Sequence, residues 1–222
     1  MVDWVKMNRR KIFDLSVTLA PHMPVWPTHP TVEIVPTGIA SRDGYSIETL
    51  SFSTHTGTHV DAPYHFDERG ATVDRLELSV LVNDGYCLSP PLRGKEITAE
   101  AIKSLWKPEY DGATILFNTG WSKKRAFTRE FLYDFPGLTL DAAQFLLDHK
   151  VRLVGIDTLS IEPYEHKDFH VHKLLLGAGA AIIEDLYGLD QLQQGKRYTV
   201  AALPLKIQGA SGSSARVLAI EE

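Results

Sequence analysis

Apolar residues along this chain come mostly in short runs set off by turn-forming residues, a pattern of strands more than of helices. Residues 12–19, 45–53, 80–88, 113–118 and 151–156 read as strands, with 113–118 apolar enough to be buried on both faces. Asn83, Asp84 and Gly85 interrupt the third of these and predict a turn or bulge there. Helical spacing appears at 99–106 and 140–149. Thr98 and Thr139 are placed to cap those helices, and Pro108 stops the first. Ala143, Leu146 and Leu147 form the apolar stripe of the second helix, and the strand that follows it makes an α/β crossover. Pro21, Pro24, Pro27, Pro30 and Pro36 predict an irregular arm over 21–36, which carries Trp26. The N- and C-terminal thirds are strand-rich, so the expected class is α/β, a mixed sheet with few helices.

Composition narrows the partners. With 222 residues, 44% of them hydrophobic, residues 1–222 can bury a full core as a single domain. A formal net charge of -5 gives no basic footprint for nucleic acid or anionic lipid. No apolar run reaches the roughly eighteen residues of a membrane span. The expected partner is therefore a small molecule. The single cysteine, Cys87, can form no internal disulfide, and the N-terminal stretch lacks the long apolar segment of an export signal, so a cytoplasmic location is expected. Tyr86 and Leu88 flank Cys87, which reads as a buried thiol and not a nucleophile. Without a G-x-S-x-G elbow, the serines at 211–214 read as a turn.

The chemistry concentrates in residues 54–66, THTGTHVDAPYHF. His55, His59, Asp61 and His65 all occupy odd positions, so an extended backbone sends them to one side and Thr56, Thr58 and Val60 to the other. Gly57, Pro63 and the β-branched residues oppose a helix. In a regular strand the Cα atoms of His55 and His59 would stand about 13 Å apart, too far to share one ion, so the segment must curl, and Gly57 permits it. Imidazoles with a carboxylate suit zinc, manganese or ferrous iron. Further ligands should come from distant sequence. His166, His170 and His172 follow the strand ending at Asp157, in the kind of loop where sites are built. Glu184 ends an apolar run that would bury its carboxylate, which makes it either a ligand or a strand-end glutamate in water.

The pattern H-x-G-T-H-x-D-x-P-x-H at 55–65 resembles the signature of the cyclase family, which includes bacterial kynurenine formamidases, isatin hydrolases and related metal-dependent amide or lactone hydrolases. Weaker matches extend it: residues 13–16, Pro24-Val25-Trp26-Pro27, Gly155-Ile156-Asp157, His172, Glu184 and Pro204-Leu205-Lys206. The resemblance implies a mixed α/β domain around a partly closed β-barrel, assembled as a homodimer or homotetramer. It implies that His55, His59 and Asp61 hold one divalent ion, that Asp61 bridges to a second held by His172 and Glu184, that His65 transfers protons, and that Trp26 lines the substrate pocket. Zinc is the expected metal and manganese the alternative, one or two ions per subunit. Formamidases commonly follow Trp-Pro with Gly-Asp, where this chain has Thr28-His29-Pro30, and often read D-G-S-P-V-R near the C-terminus, where it has residues 210–216, ASGSSAR. Both departures weaken a specific assignment to N-formylkynurenine.

Three functions remain distinguishable. A hydrolase would use cation-activated water on an amide or lactone, with His65 serving the leaving group or, alternatively, as a third ligand to the first ion. A non-haem iron oxygenase would use two histidines and one carboxylate, but no basic pocket for a keto-acid co-substrate is evident. A purely structural metal module usually draws on cysteines, of which there is one. Trp26 offers a flat face for substrate stacking or ordinary core packing, and its irregular arm suggests that it reaches a neighbouring subunit.

Overall fold

The computed structural model describes residues 10–221. The stretch 1–9, most of the segment compared above with an export signal, lies outside them. Seven strands close a ring: β4 (His59–Asp61), β10 (Ala181–Glu184), β9 (Leu153–Ile156), β7 (Thr114–Phe117), β5 (Val82–Leu88), β11 (Arg197–Pro204) and β12 (Gly212–Ile220), with β12 returning to β4. The four strands from β5 to β10 run parallel and the other pairings are antiparallel. The barrel closes because β12 runs past its pairing with β11 to reach β4, and the same edge of β12 also takes a strand from outside the ring. Residues 212–214 meet β4, and residues 218–220 meet β1 (Ile12–Asp14). Outside the ring, β2 (Glu33–Gly38) pairs with β3 (Ile47–Ser51), and β6 (Glu96–Ile97) with β8 (Gly137–Leu138).

Helices are few and short: α1 (Ala40–Asp43), α2 (Leu78–Leu81), α3 (Ala99–Lys103), α4 (Arg129–Tyr133), α5 (Leu140–Asp148) and α6 (His170–Gly177). The parallel strands require crossovers, and α3, α5 and α6 lie in the three of them. Period-2 alternation then makes two cores. Val60, Cys87, Leu116, Leu153, Ile183, Val200 and Val217 point into the barrel, while Leu88, Ile115, Phe117, Val154, Ile156 and Ile182 face outward under the helices. Each fully buried side chain of this size contributes about 1.5–3 kcal/mol.

Several expectations are corrected. The first strand stops at Asp14, since beyond it the chain leaves the β12 ladder and Leu15 and Ser16 pair with residues 186 and 187. Asn83, Asp84 and Gly85 do not break β5: they lie within its pairing to β11, and Val200 fills the space a Gly85 side chain would need. The arm ends earlier than its prolines imply, because β2 starts at Glu33 and takes in Pro36 at an irregularity beside an edge strand, where a missing N–H is tolerated. Thr98 caps α3 through the Ala101 N–H, whereas the Thr139 hydroxyl donates instead to the Ile97 carbonyl. His172 sits on a helix, α6, and not in a loop.

Candidate active site

The residues of the 54–66 segment meet because the chain curls at Gly57, whose φ is +63°, before β4 begins at His59. A side chain at Gly57 would lie 2.8 Å from Leu19. In β4 only Val60 enters the barrel, leaving His59 and Asp61 on its outer face. The register then sets Glu184 of β10 opposite His59 and Ile182 opposite Asp61, and α6 lowers His172 onto the same face. Gly212 of β12 faces Asp61, and a Cβ there would come within 2.7 Å of the His55 ring.

Two overlapping triads result: His55, His59 and Asp61, and Asp61, His172 and Glu184, the ligand atoms of each lying within 4.8 Å of one another. His55 Nδ1 is 2.6 Å and His59 Nε2 3.2 Å from Asp61 Oδ1; His59 Nε2 is 3.5 Å from Glu184 Oε2. His172 Nε2 is 2.9 Å from Glu184 Oε1 and 4.0 Å from Asp61 Oδ2. His59 Nε2 and Asp61 Oδ2 are buried without a hydrogen-bond partner among the described residues. Such groups cost about 1–3 kcal/mol each when left bare. A divalent cation between these lone pairs satisfies both, and the N/O donor set fits zinc or manganese.

Each imidazole is held by its far nitrogen. His59 Nδ1 donates to the Gly57 carbonyl at 2.7 Å, His55 Nε2 meets Ser211 Oγ at 2.8 Å, and His172 Nδ1 lies 2.6 Å from Glu162 Oε1. Glu162 is buried, and its carboxylate also accepts the backbone N–H groups of Val171 and His172 in the first turn of α6. It was not legible as a site residue, since the helix it serves begins eight residues later with no local capping pattern. Ser211, read above as part of a turn, also belongs here. A carboxylate on the far nitrogen fixes the tautomer and strengthens a ligand, and losing it typically costs roughly 10–100-fold in metal affinity. We expect that loss for Glu162→Gln, measured by metal competition, with Glu162→Asp recovering part of it.

Electrostatics agree with a site waiting for positive charge. Burial alone would raise the Asp61 carboxyl, but the His55 and His59 rings outweigh it and hold the group well below the usual range. Burial would lower His59 and His172. Instead, Asp61 and Glu184 raise His59 to about 9, and Glu162 and Glu184 raise His172 to about 10. Both rings are therefore protonated at pH 7 in the metal-free protein, and a cation must displace those protons. Calorimetry in buffers of different ionisation enthalpy should show about one proton released per ion bound, two when both triads are filled, with affinity rising as pH climbs from 7 towards 9–10. The stability these raised groups lend the metal-free fold is complete below about pH 6.5 and is lost as pH rises through about 9–10. A pH-independent affinity would contradict this.

His65 ends a short turn directly after β4, Pro63–His65, and its ring stacks on that of His55 at 3.9 Å. Burial, reinforced by the neighbouring imidazoles, pushes it down to about 4, so it is neutral at pH 7. A cavity of about 160 Å³ opens over these groups, walled by Val25, Trp26, Phe66, Leu159 and Phe169. That is about the size at which a closed apolar cavity admits a single aromatic ring. Trp26 is half-buried, 5.2 Å from the Tyr164 ring and 6.4 Å from that of Phe169. It lines the cavity of its own chain, which corrects the expectation that it reaches a neighbour's. The arm is fastened there by Arg125, which pairs with buried Asp185 and donates to the Pro24 carbonyl at 2.9 Å. Asp185 has a φ of +57°, so both it and Glu184 line the cavity, against the alternation of a strand. Cys87 lies inside the barrel, its thiol pushed up to about 12 mainly by burial, and takes no part. His166 and His170 join neither triad: His166 Nδ1 lies 3.6 Å from Glu162 Oε2, behind His172, and His170 Nε2 lies 3.9 Å from Asp168 Oδ2.

A barrel wall with buried imidazoles and carboxylates around an apolar cavity defines the class, a metal-dependent hydrolase fold. The Cyclase family model ("Putative cyclase") matches residues 13–163. A kynurenine formamidase of Geobacillus thermodenitrificans is 33% identical over 91% of this chain and 94% of its own length. Among solved structures, isatin hydrolase A of Labrenzia aggregata superposes with a TM-score of 0.84 at 28% identity, covering 96% of this chain and 94% of that one. A protein described as a potential metal-dependent hydrolase with cyclase activity gives a TM-score of 0.81 at 33% identity, covering 96% and 98%. The chain belongs to the cyclase family.

Proposed function

We propose that this protein is a metal-dependent amidohydrolase that cleaves the C–N bond of a small flat amide, an aryl formamide or a cyclic amide, with lactones as the related alternative. The observation that carries the reading is the convergence of five candidate ligands, His55, His59, Asp61, His172 and Glu184, beside a neutral imidazole and an aromatic-walled cavity. His55, His59, Asp61, His172 and Glu184 would hold divalent metal, zinc by preference and manganese as the alternative, which would supply an acidified water and polarisation of the acyl oxygen. The chain's own groups do the rest. His65 takes a proton from the attacking water and returns it to the departing nitrogen. Trp26 stacks on the substrate, and the apolar wall excludes bulk water. The altered residues at 28–30 and 210–216 favour a substrate other than N-formylkynurenine.

Formanilide, a cyclic imide and an aryl lactone, each offered to protein of confirmed zinc or manganese content, test this. Hydrolysis of at least one without oxygen is expected. No turnover by fully loaded protein, or a strict need for oxygen, would sink it. We also assign the protein to the cytoplasm, in keeping with its single cysteine, Cys87, which is buried and can form no internal disulfide. No helix among the described residues is long and apolar enough to cross a membrane.

The same reading includes a homo-oligomer. Among the described residues the β2–β3 hairpin has no third strand, and Val35, Ile47 and Leu50 on it are exposed. An isolated two-stranded hairpin is marginal in water, so a second copy covering it is expected. Sedimentation should give a dimer or tetramer, and Leu50→Glu should weaken it. A wild-type monomer would contradict this.

A further inference from the structure

The arm departs from the formamidase pattern at Thr28-His29, and His29 lines the cavity. Its backbone N–H donates to the Trp26 carbonyl at 2.9 Å, so one tight turn presents the indole and the imidazole to the same space. Its Nδ1 donates to the His55 carbonyl at 3.2 Å, and its ring centre is 6.5 Å from that of His55. In a neutral imidazole that donation leaves Nε2 as a bare acceptor. Nε2 has no hydrogen-bond partner among the described residues; outside the cation triads, the cavity's other bare acceptors are the ring of His65, which serves the proton transfer, and Oδ2 of Asp185, whose carboxylate is already ion-paired. Glu184, which also lines the cavity, belongs to a cation triad, and Asp185 pairs with Arg125 through Oδ1.

We propose that His29 determines specificity by accepting, at Nε2, the hydrogen bond of the substrate's amide N–H. The assignment rests on the amide reading above and adds to it a preference for secondary over N-alkylated amides. It fits the chemistry of the departing nitrogen, which carries one hydrogen and one lone pair. As water adds to the acyl carbon and the C–N bond breaks, the lone pair takes a proton from His65, while the hydrogen already present stays on nitrogen and points at His29. No proton passes to His29. Engaging that hydrogen turns the lone pair towards His65, which stacks on His55, the neighbour it shares with His29.

Oxindole, a flat lactam with an N–H, and N-methyloxindole, without one, are suitable probes. Binding of each to zinc-loaded wild type and to His29→Asn is measured by titration. Asparagine can keep the donor to the His55 carbonyl but has no atom at Nε2. Wild type should bind oxindole roughly tenfold more tightly, the ratio for one hydrogen bond, and His29→Asn should lose that preference while keeping its metal content. A preference that survives in His29→Asn, equal binding of the two by wild type, or no binding of either would overturn the assignment. If His29→Asn fails to fold, the wild-type His29 ¹⁵Nε2 resonance decides: it should move with oxindole and not with N-methyloxindole. Turnover is scored apart. A His29-dependent preference in a protein that hydrolyses no amide would remove the hydrolase reading alone, and amide turnover without the preference would remove His29's role alone.

Discussion

Asparagine in place of Asp61 should strip the protein of metal and of activity together. Asp61 is fully buried and is the one group common to both triads, with Oδ1 towards His55 and His59 and Oδ2 towards His172. A neutral amide of the same shape keeps the packing, while removing the negative charge that holds the His59 ring high and offering an N–H where a lone pair is needed. Since losing even an outlying partner of a ligand costs roughly 10–100-fold in metal affinity, losing a shared ligand should cost at least about a hundredfold. Metal content after dialysis, read by elemental analysis, should fall to background while the circular dichroism spectrum is retained. Unchanged stoichiometry would show that Asp61 bridges nothing.

His65→Ala should have the opposite signature, turnover lost and metal kept. Its ring is neutral at pH 7 and stacked on His55, close enough to serve the reacting atoms without entering either triad. Loss of a positioned proton-transfer group typically costs about 10²–10⁴-fold in rate. We expect a fall in kcat of that order with full metal occupancy and little change in the Michaelis constant. A parallel loss of metal would instead make His65 a ligand of the first ion, the alternative its sequence position left open.

What the sequence revealed was what lies close together along it. His55, His59, Asp61 and His65 fall within eleven residues, and the requirement for a curl at Gly57 followed from the rise of a strand alone. The partners of that cluster are set by pairings no local pattern contains. Glu184 stands by His59 only through the register of β10 on β4, and the barrel closes only because β12 extends past its pairing with β11 to meet β4. Helix α6 was missed because its start is marked by Phe169 in a left-handed conformation and by the distant carboxylate of Glu162, not by a serine or aspartate at the cap. The first strand of the hairpin, β2, was hidden by Pro36, which an unpaired edge tolerates.

Anomalous diffraction at the zinc edge from a crystal of the zinc-loaded protein tests the central claim most directly. Two peaks are expected, one bounded by His55, His59 and Asp61, the other by Asp61, His172 and Glu184. Density that leaves out either group, or zinc bound only at surface side chains, would contradict the account.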